Sequence, residues 1–577
     1  MQAGLMAIVK TCDMVWRELS KGYAFDLEDF NADKSEVSLL ESVQVPTVIR
    51  QLDKALAWLD RWQTPNREWQ KALYHRIALR KHILLAVSVN ESVVTEPFKR
   101  STHVSDALAS YHSVRAGPVP ATPPPSSQLH ASFDPTINRR LIVNMPLKVI
   151  ELMPINDAWK SLQSMLEGML EACRMVQSSN ILDIMMVLRL RARLPFSPNR
   201  SAYIRSLNTT LLLNKLSPQS SRKSQAMNDI EHSPVHLFFS QLVGLPLGRI
   251  RALHHWPLDR PPLPVHPAHM EDTIERHIMQ HLMSLCYNRP RMRRSMSKTL
   301  ASWHQIWEDT IDVAVAVRED ESLKDLKRLP LGIRHLRLSN VVDLIFAGFE
   351  TNLYAQAEWP LMYWHLTRVL GLQVQTMELL SRLLREDTTS HSSSELYARS
   401  HIIYSKALRS LCHATLLALF IRPPKDLNVS KLSQPPTPDE CLLIQRRFKW
   451  AFGSHTKRIR YEDDTRPDLS AWTQFAAKIE SREATEVVRE TLKEFKEARV
   501  HLLNLVDQSV WRTAGGACDQ LMNEFLTGCI RVCSAQISAL EAVAESDDPG
   551  AGTEELNHWT FEHSLWFPTI SRLMSNA

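Results

Sequence analysis

Glycine is scarce in this chain, at 15 of 577 residues. Phosphate-cradling loops and hairpin-rich β architecture both draw on backbone positions with positive φ, so the shortage counts against them and favours long helices. No apolar run reaches the roughly 18 residues that a membrane-crossing helix needs. The first residues do not read as a leader, because a charged region, an apolar core and a small-residue cleavage site do not follow one another. The eight cysteines, Cys12, Cys173, Cys286, Cys412, Cys441, Cys518, Cys529 and Cys533, are scattered, and none is spaced C-x-x-C as in a zinc or redox site. The expectation is a reducing, cytoplasmic setting. Reactive signatures are missing too: no G-x-S-x-G elbow, no H-E-x-x-H and no P-loop occurs. A net charge of +5 is modest for this length and does not by itself mark a nucleic-acid partner.

What the chain does have is apolar periodicity. Apolar side chains make up 44% of it, enough for a large core. The most informative stretch is Leu338–Leu366, where Val342, Ile345, Phe346, Phe349 and Leu353 recur at spacings of three and four and so share a helix face. The pattern predicts one helix over about 338–384, and others over about 3–20, 45–62, 67–91, 270–287, 292–317 and 396–421, with helical periodicity resuming after about 470 and continuing to about 545. Leu162, Met165, Leu166, Met169, Leu170 and Cys173 mark a further helix face, and Ile181–Leu190 continues as a strongly apolar one. Breaks fall at Gly117–His130, at 217–234, at Trp256–Pro267 with its five prolines, at Asp387–Ser394 and at Pro435, Pro436 and Pro438. The resulting division is an N-terminal helical region over 1–116, a Pro/Ser-rich linker over 117–132, a central helical scaffold over 133–432 and a C-terminal helical region over 433–577. No internal repeat of fixed period is visible, so the fold expected is mostly α without regular repeats.

Several constellations invite a functional reading. The letters Arg512–Ala517, RTAGGA, fit the Q/R-x-x-G-x-G/A loop with which acetyltransferases bind the pyrophosphate of acetyl-CoA, but that loop must follow a strand and 485–511 has helical spacing. A helix break is the better reading. His254, His255, His266, His269, His277 and His281 crowd one region, yet no cysteine or carboxylate completes a ligand set, and no metal site is expected. Trp58, Trp62 and Trp69, interleaved with Asp53, Lys54, Asp60 and Arg61, read as packed residues of an amphipathic helix. Two basic clusters remain. Arg289, Arg291, Arg293, Arg294 and Lys298 lead into one helix, while Arg446, Arg447, Lys449, Lys457, Arg458 and Arg460 flank Phe448, Trp450 and Phe452. Either could meet an acidic partner such as ribosomal RNA; the alternative is a solvated face or pairing within the chain.

Gly348, Phe349, Glu350, Leu353, Tyr354, Glu358, Tyr363 and Trp364 form a G-F-E-x-x-L-Y…E…Y-W order. In SFDPTINRRL, Phe133, Asp134, Pro135, Ile137, Asn138, Arg140 and Leu141 fit F-[DE]-P-x-[VI]-N-x-[RK]-L. With Ala7–Phe30, NRPRMRRSMSKTLASWHQI and, more weakly, RRFKWAFGSHTKRIRYEDDTRPDLSAWTQF, these elements run collinearly along nearly the whole chain, most densely between about 133 and 370. In that order they resemble the large auxiliary subunit of the NatC N-terminal acetyltransferase complex.

The resemblance implies a mostly α, extended multi-helical scaffold that is not itself an enzyme. Its implied role is to hold a catalytic acetyltransferase subunit and a small Sm-like subunit, with a possible ribosome contact and no membrane. It binds no cofactor of its own on this reading. Acetyl-CoA would sit on the catalytic partner, which would acetylate nascent chains that begin with Met followed by a bulky apolar residue. One departure stands out: the family's M-D-P-K-M-D-like motif and the helical region around it do not precede Met1, so the sequence reads as N-terminally incomplete. Three other classes stay open: a general helical adaptor, a stand-alone acetyltransferase using Arg512–Ala517, and an RNA-binding module built on the two basic clusters.

Overall fold

The computed structural model describes residues 45–88, 99–118, 238–245, 263–264, 266–285, 289–320, 323–350, 353–386, 392–421, 432–444, 467–507, 517–544, 559–563 and 568–572, with isolated positions between 159 and 189 and at 253 and 423. The chain divides into two compact units. One comprises Met1–Ser178, Phe196–Ala226 and Cys286–Asn288; the other comprises Ser179–Pro195, Met227–Leu285 and Arg289–Ala577.

In the first unit, helices α1 (Val45–Arg61), α2 (Arg67–Ser88) and α3 (Lys99–Ala116) pack in succession. Val48, Leu52, Leu56 and Leu59, four or three residues apart, form a buried stripe on α1. Each such side chain contributes about 1.5–3 kcal/mol by leaving water. The stripe meets Ile77, Ala78 and Leu84 of α2. On another face of α2, Leu79, Ile83 and Ala86 meet Val104, Ala107 and Tyr111 of α3, together with Leu166 and Met169. Because α2 is covered on two sides, its apolar residues do not gather into a single stripe. Asn66 caps it by accepting from the Trp69 amide at 3.4 Å.

The second unit is built from α4 (Pro267–Leu285), α5 (Arg289–Ala316), α6 (Leu329–Glu350), α7 (Trp359–Arg385), α8 (Ser392–Ile421), α9 (Leu469–Glu480), α10 (Ala484–Asp507) and α11 (Ala517–Ala544). Consecutive helices pack from α4 to α8; α10 then lies on α8, and α11 on α10. Helix α9, capped by Asp468 accepting from the Ser470 and Ala471 amides, brings Ile479 and Phe475 against Leu417 and Val487. The centre of the unit is α6, buried at nearly every position from Gly332 to Ala347. A short π-turn, Phe239–Val243, closes against it. It can do so because a Cβ at Gly332 would stand 2.6 Å from Val243 Cγ2, and because Gly244 ends the turn at φ 63°.

A polar layer runs through this core. Arg189 Nε donates to Asp343 Oδ2 at 3.0 Å, and its Nη2 lies 3.4 Å from His281 Nε2. Gln373 donates to Ser339 Oγ at 2.8 Å and reaches His335 Nδ1 at 3.5 Å, while Ser405 donates to Gln373 at 3.4 Å. The His335 and His401 rings meet edge to face at 4.6 Å. Burial, reinforced by the Arg189 cation, pulls His281 and His335 down to about 3 and His401 well below its ordinary value. His365, buried elsewhere in α7, is also brought to about 3 by burial, with Arg368 adding to the effect.

Three expectations need correction. The helix predicted over 338–384 is two helices: α6 stops at Glu350, a 3-10 turn occupies Gln356–Glu358 and α7 starts at Trp359 with Pro360 in its first turn. Over 470–545 the helical periodicity resolves into α9, α10 and α11, whereas α8 starts at Ser392, inside the tract read as a loop. The C-terminal region also carries an antiparallel hairpin, β1 (Trp559–His563) with β2 (Pro568–Arg572), in which Phe561 pairs with Ile570. The helix predicted over 3–20 lies outside the described residues.

Two outcomes follow. Gly348→Ala is expected to destabilise the chain by about 1–3 kcal/mol in urea, since its methyl would collide with Tyr354, whereas Gly371→Ala, facing only Arg409 at 3.8 Å, is expected to stabilise it by up to about 1 kcal/mol. The four buried imidazoles stay neutral in the folded chain and take up protons when unfolded, so stability is complete above pH ~6.5 and falls as the pH drops towards 3, by about 1.4 kcal/mol per pH unit for each. Urea midpoints should be level above pH 7 and fall from pH 6.5 to 5, with a shallower slope in His335→Gln; a midpoint unchanged across that window would refute the reading.

Candidate functional site

The corner between α6 and α7 gathers the residues that the sequence singled out. With no side chain at Gly348, Tyr354 folds back over the end of α6, and the Leu353 amide donates to the Gly348 carbonyl at 2.9 Å. Phe349 stacks on Tyr363 with ring centroids 4.7 Å apart and receives the edge of Tyr354 at 5.0 Å and of Trp359 at 6.5 Å. Glu358 accepts from the Ala355 amide at 2.9 Å, tying the 3-10 turn. Burial holds the Tyr354 phenol well above its ordinary value, with the Arg293 cation acting in the opposite direction. Gly348, Phe349, Leu353, Tyr354 and Glu358 therefore set the angle at which α7 leaves α6. The Glu350 side chain lies outside the described residues.

Arg293 belongs to the first basic cluster, yet it is buried, and burial lowers its pKa. Its cation faces the Tyr354 corner instead of solvent. Arg294 is half-buried and Lys298 exposed; the side chains of Arg289 and Arg291 lie outside the described residues. So do Arg446, Arg447, Lys449, Lys457, Arg458 and Arg460, and so do Phe133, Asp134, Pro135, Asn138, Arg140 and Leu141. Trp307, on the helix that the first cluster leads into, meets the guanidinium groups of Arg334 and Arg337 with its ring, at 5.2 and 5.4 Å.

The histidine-rich region does not converge on a ligand set among its described residues. His277 Nδ1 lies 2.7 Å from the Thr273 carbonyl, His281 faces Arg189, and His266 and His269 are exposed. At RTAGGA, helix α11 does open at Ala517, but α10 precedes it where the cofactor loop would require a strand. Arg512 and Gly515 are outside the described residues.

Sequence reasoning missed the surface of the first unit. Trp58, Trp62 and Trp69 were expected to pack, but they are 59%, 43% and 45% exposed, with Leu73 at 44%. Trp58 and Trp62, one turn apart on the side of α1 away from its buried stripe, stack on each other at 5.2 Å. All four flank the α1–α2 turn. Such a concentration of exposed aromatic surface has the composition of an interface core. In the second unit, α10 borders an open groove of about 670 Å³ lined by Arg489, Leu492, Lys493, Lys496, Glu497, Val500 and His501. Among the described residues, no helix is long and apolar enough to cross a membrane.

Comparison with known proteins agrees with this architecture. A family model described as NAA35-like, TPR repeats, matches residues 196–570, and one described as the Mak10 subunit of the NatC N(alpha)-terminal acetyltransferase matches residues 1–50. The NatC auxiliary subunit N-alpha-acetyltransferase 35 of Gallus gallus is 20% identical over 428 residues, 69% of this chain, and the chain spans 56% of that protein's length. The fold superimposes on a chain of the NatC complex bound to Gag peptide and CoA with a TM-score of 0.66, at 12% identity, covering 99% of this chain and 79% of the other. The apo NatC complex gives a TM-score of 0.65 with the same identity and coverage. With its larger part matched by the family's own model, the chain belongs to the NAA35-like, TPR-repeat family.

Proposed function

We propose that this chain is a non-catalytic auxiliary subunit of a NatC-type N-terminal acetyltransferase, a helical scaffold that holds the catalytic subunit and a small Sm-like subunit. The family match over 196–570 carries the reading. Acetyl transfer then takes place on the partner, with acetyl-CoA bound there, and acts on nascent chains that begin with Met and a bulky apolar residue. The exposed Trp58, Trp62, Trp69 and Leu73 are assigned to the catalytic subunit. They follow directly on the segment matched by the NatC-subunit model at residues 1–50, and their aromatic character suits a desolvated protein interface better than a nucleic-acid surface. On this reading a ribosome contact falls to Lys298 and the cluster from Arg446 to Arg460, because Arg293 is turned inward. The stand-alone acetyltransferase reading requires the chain to bind acetyl-CoA alone, and a general adaptor requires no acetyltransferase at all.

Co-expression with the catalytic and Sm-like subunits is expected to give a stoichiometric complex by light scattering that acetylates a Met-Leu peptide. The isolated chain should bind no acetyl-CoA, and Gly515→Asp should leave the activity of the complex unchanged. Trp58→Ser with Trp62→Ser should weaken association at least tenfold, about 1.4 kcal/mol, without lowering the melting temperature of the chain. Failure to associate would overturn the proposal. Acetyl-CoA binding by the chain alone would favour the enzyme reading.

A further inference from the structure

The packing of α2 on α3 brings together three side chains that the functional reading does not use. His103 and Asp106 stand one turn apart on α3, and His82 faces them from α2. One donor atom from each lies within 4.8 Å of the other two. His82 Nδ1 is 3.6 Å from Asp106 Oδ2, and the two imidazole rings are 6.3 Å apart, tilted by 35°. His82 Nδ1 is buried and makes no hydrogen bond. Asp106 is about half exposed, so the cluster opens to solvent on one side.

We propose that His82, His103 and Asp106 bind a divalent transition-metal ion, zinc by ligand chemistry, which ties α2 to α3. Two imidazoles and a carboxylate are a recognised zinc donor set, whereas magnesium and calcium favour shells made of oxygen. Donors about 2.0–2.1 Å from a tetrahedral ion stand about 3.3 Å apart, close to the 3.6 Å already separating His82 from Asp106. The other donor separations are at most 4.8 Å, so about 1.5 Å of side-chain adjustment closes the set around an ion. The backbone beneath needs no movement, since Leu79, Ile83, Ala86, Val104 and Ala107 fix the two helices against each other.

The surrounding charges suit a cation. Burial lowers the pKa of His82, with the Asp106 carboxylate acting in the opposite direction. The adjacent cation, Lys81, is held 2.6 Å from Asp53 and so is partly neutralised. Two neutral imidazoles and one carboxylate leave the bound ion with a net charge of about +1, and the solvent side supplies a fourth position for water or an outside donor. No thiol takes part, which is why cysteine spacing gave no hint of the site. His82 and His103 are separated by 21 positions and belong to different helices, so only their packing places them side by side.

The test is metal titration of the purified chain after dialysis against a chelator. Calorimetry with zinc is expected to give one ion per chain, and cobalt should develop the visible absorption of a tetrahedral centre. Magnesium and calcium should give neither signal. Asp106→Asn and His103→Ala should each weaken zinc binding at least tenfold, remove the cobalt spectrum and abolish the rise in melting temperature that zinc gives the unaltered chain. Asp106→Asn changes a half-exposed side chain without changing its shape, so its metal-free melting curve should match the parent and separate loss of the site from loss of the fold. Absence of stoichiometric zinc binding, or binding that Asp106→Asn and His103→Ala both leave intact, would overturn the proposal.

Discussion

The second unit depends on the meeting of Arg189 with Asp343 at 3.0 Å in a core that excludes water. An aspartate on a helix buried on nearly every side is tolerable only if a cation reaches it, because a stranded buried charge costs about 3–5 kcal/mol. That requirement fixes Arg189 against α6. His281 brings α4 to the same guanidinium, while Gln373 and Ser405 join α7 and α8 to Ser339 of α6. Apolar contacts alone would let these helices slide by a turn with little penalty. Hydrogen bonds between particular atoms do not, so the polar layer sets the register that the apolar layer then fills.

Much of this was legible in the chain. The stripe Val48, Leu52, Leu56, Leu59 announced α1, and Leu162, Leu166, Met169 and Leu170 pack on the first unit as their spacing implied. What periodicity could not give was whether another element covers the side of α1 away from the stripe, and Trp58 and Trp62 on that side are exposed. The break between α6 and α7 was hidden for another reason. Most residues between Gly348 and Trp359 are tolerable helix formers, and Pro360 is acceptable in a first turn; it is the return of Tyr354 over Gly348 that separates the two helices. Arg189 and Asp343 are 154 positions apart, a pairing that no local pattern carries. Arg293 sits in a run of cations that composition alone would place in water, and only its approach to Tyr354 shows that it points inward.

The family description includes TPR repeats, yet the sequence shows no fixed period. The helices account for this. They range from 12 residues in α9 to 30 in α8, so neighbouring pairs do not recur at a constant interval. What repeats is the layering of helix on helix within each unit, in succession from α1 to α3 and from α4 to α8, and such a stack leaves a face open wherever the next layer is missing. The tryptophans around the α1–α2 turn occupy one such face.

The burial of α6 also has a consequence during synthesis. Helix α6 is too apolar to rest in water, and its shelter includes α7 and α8, which are made after it. About 70 residues separate the end of α6 from the end of α8, so at ribosomal rates the segment from Leu329 to Glu350 stays without its full cover for about 4–14 s. Through that interval, α4 and α5 are the helices already in place to receive one side of it. The order of helices along the chain thus makes the earlier half of the second unit a holding surface for its own central helix.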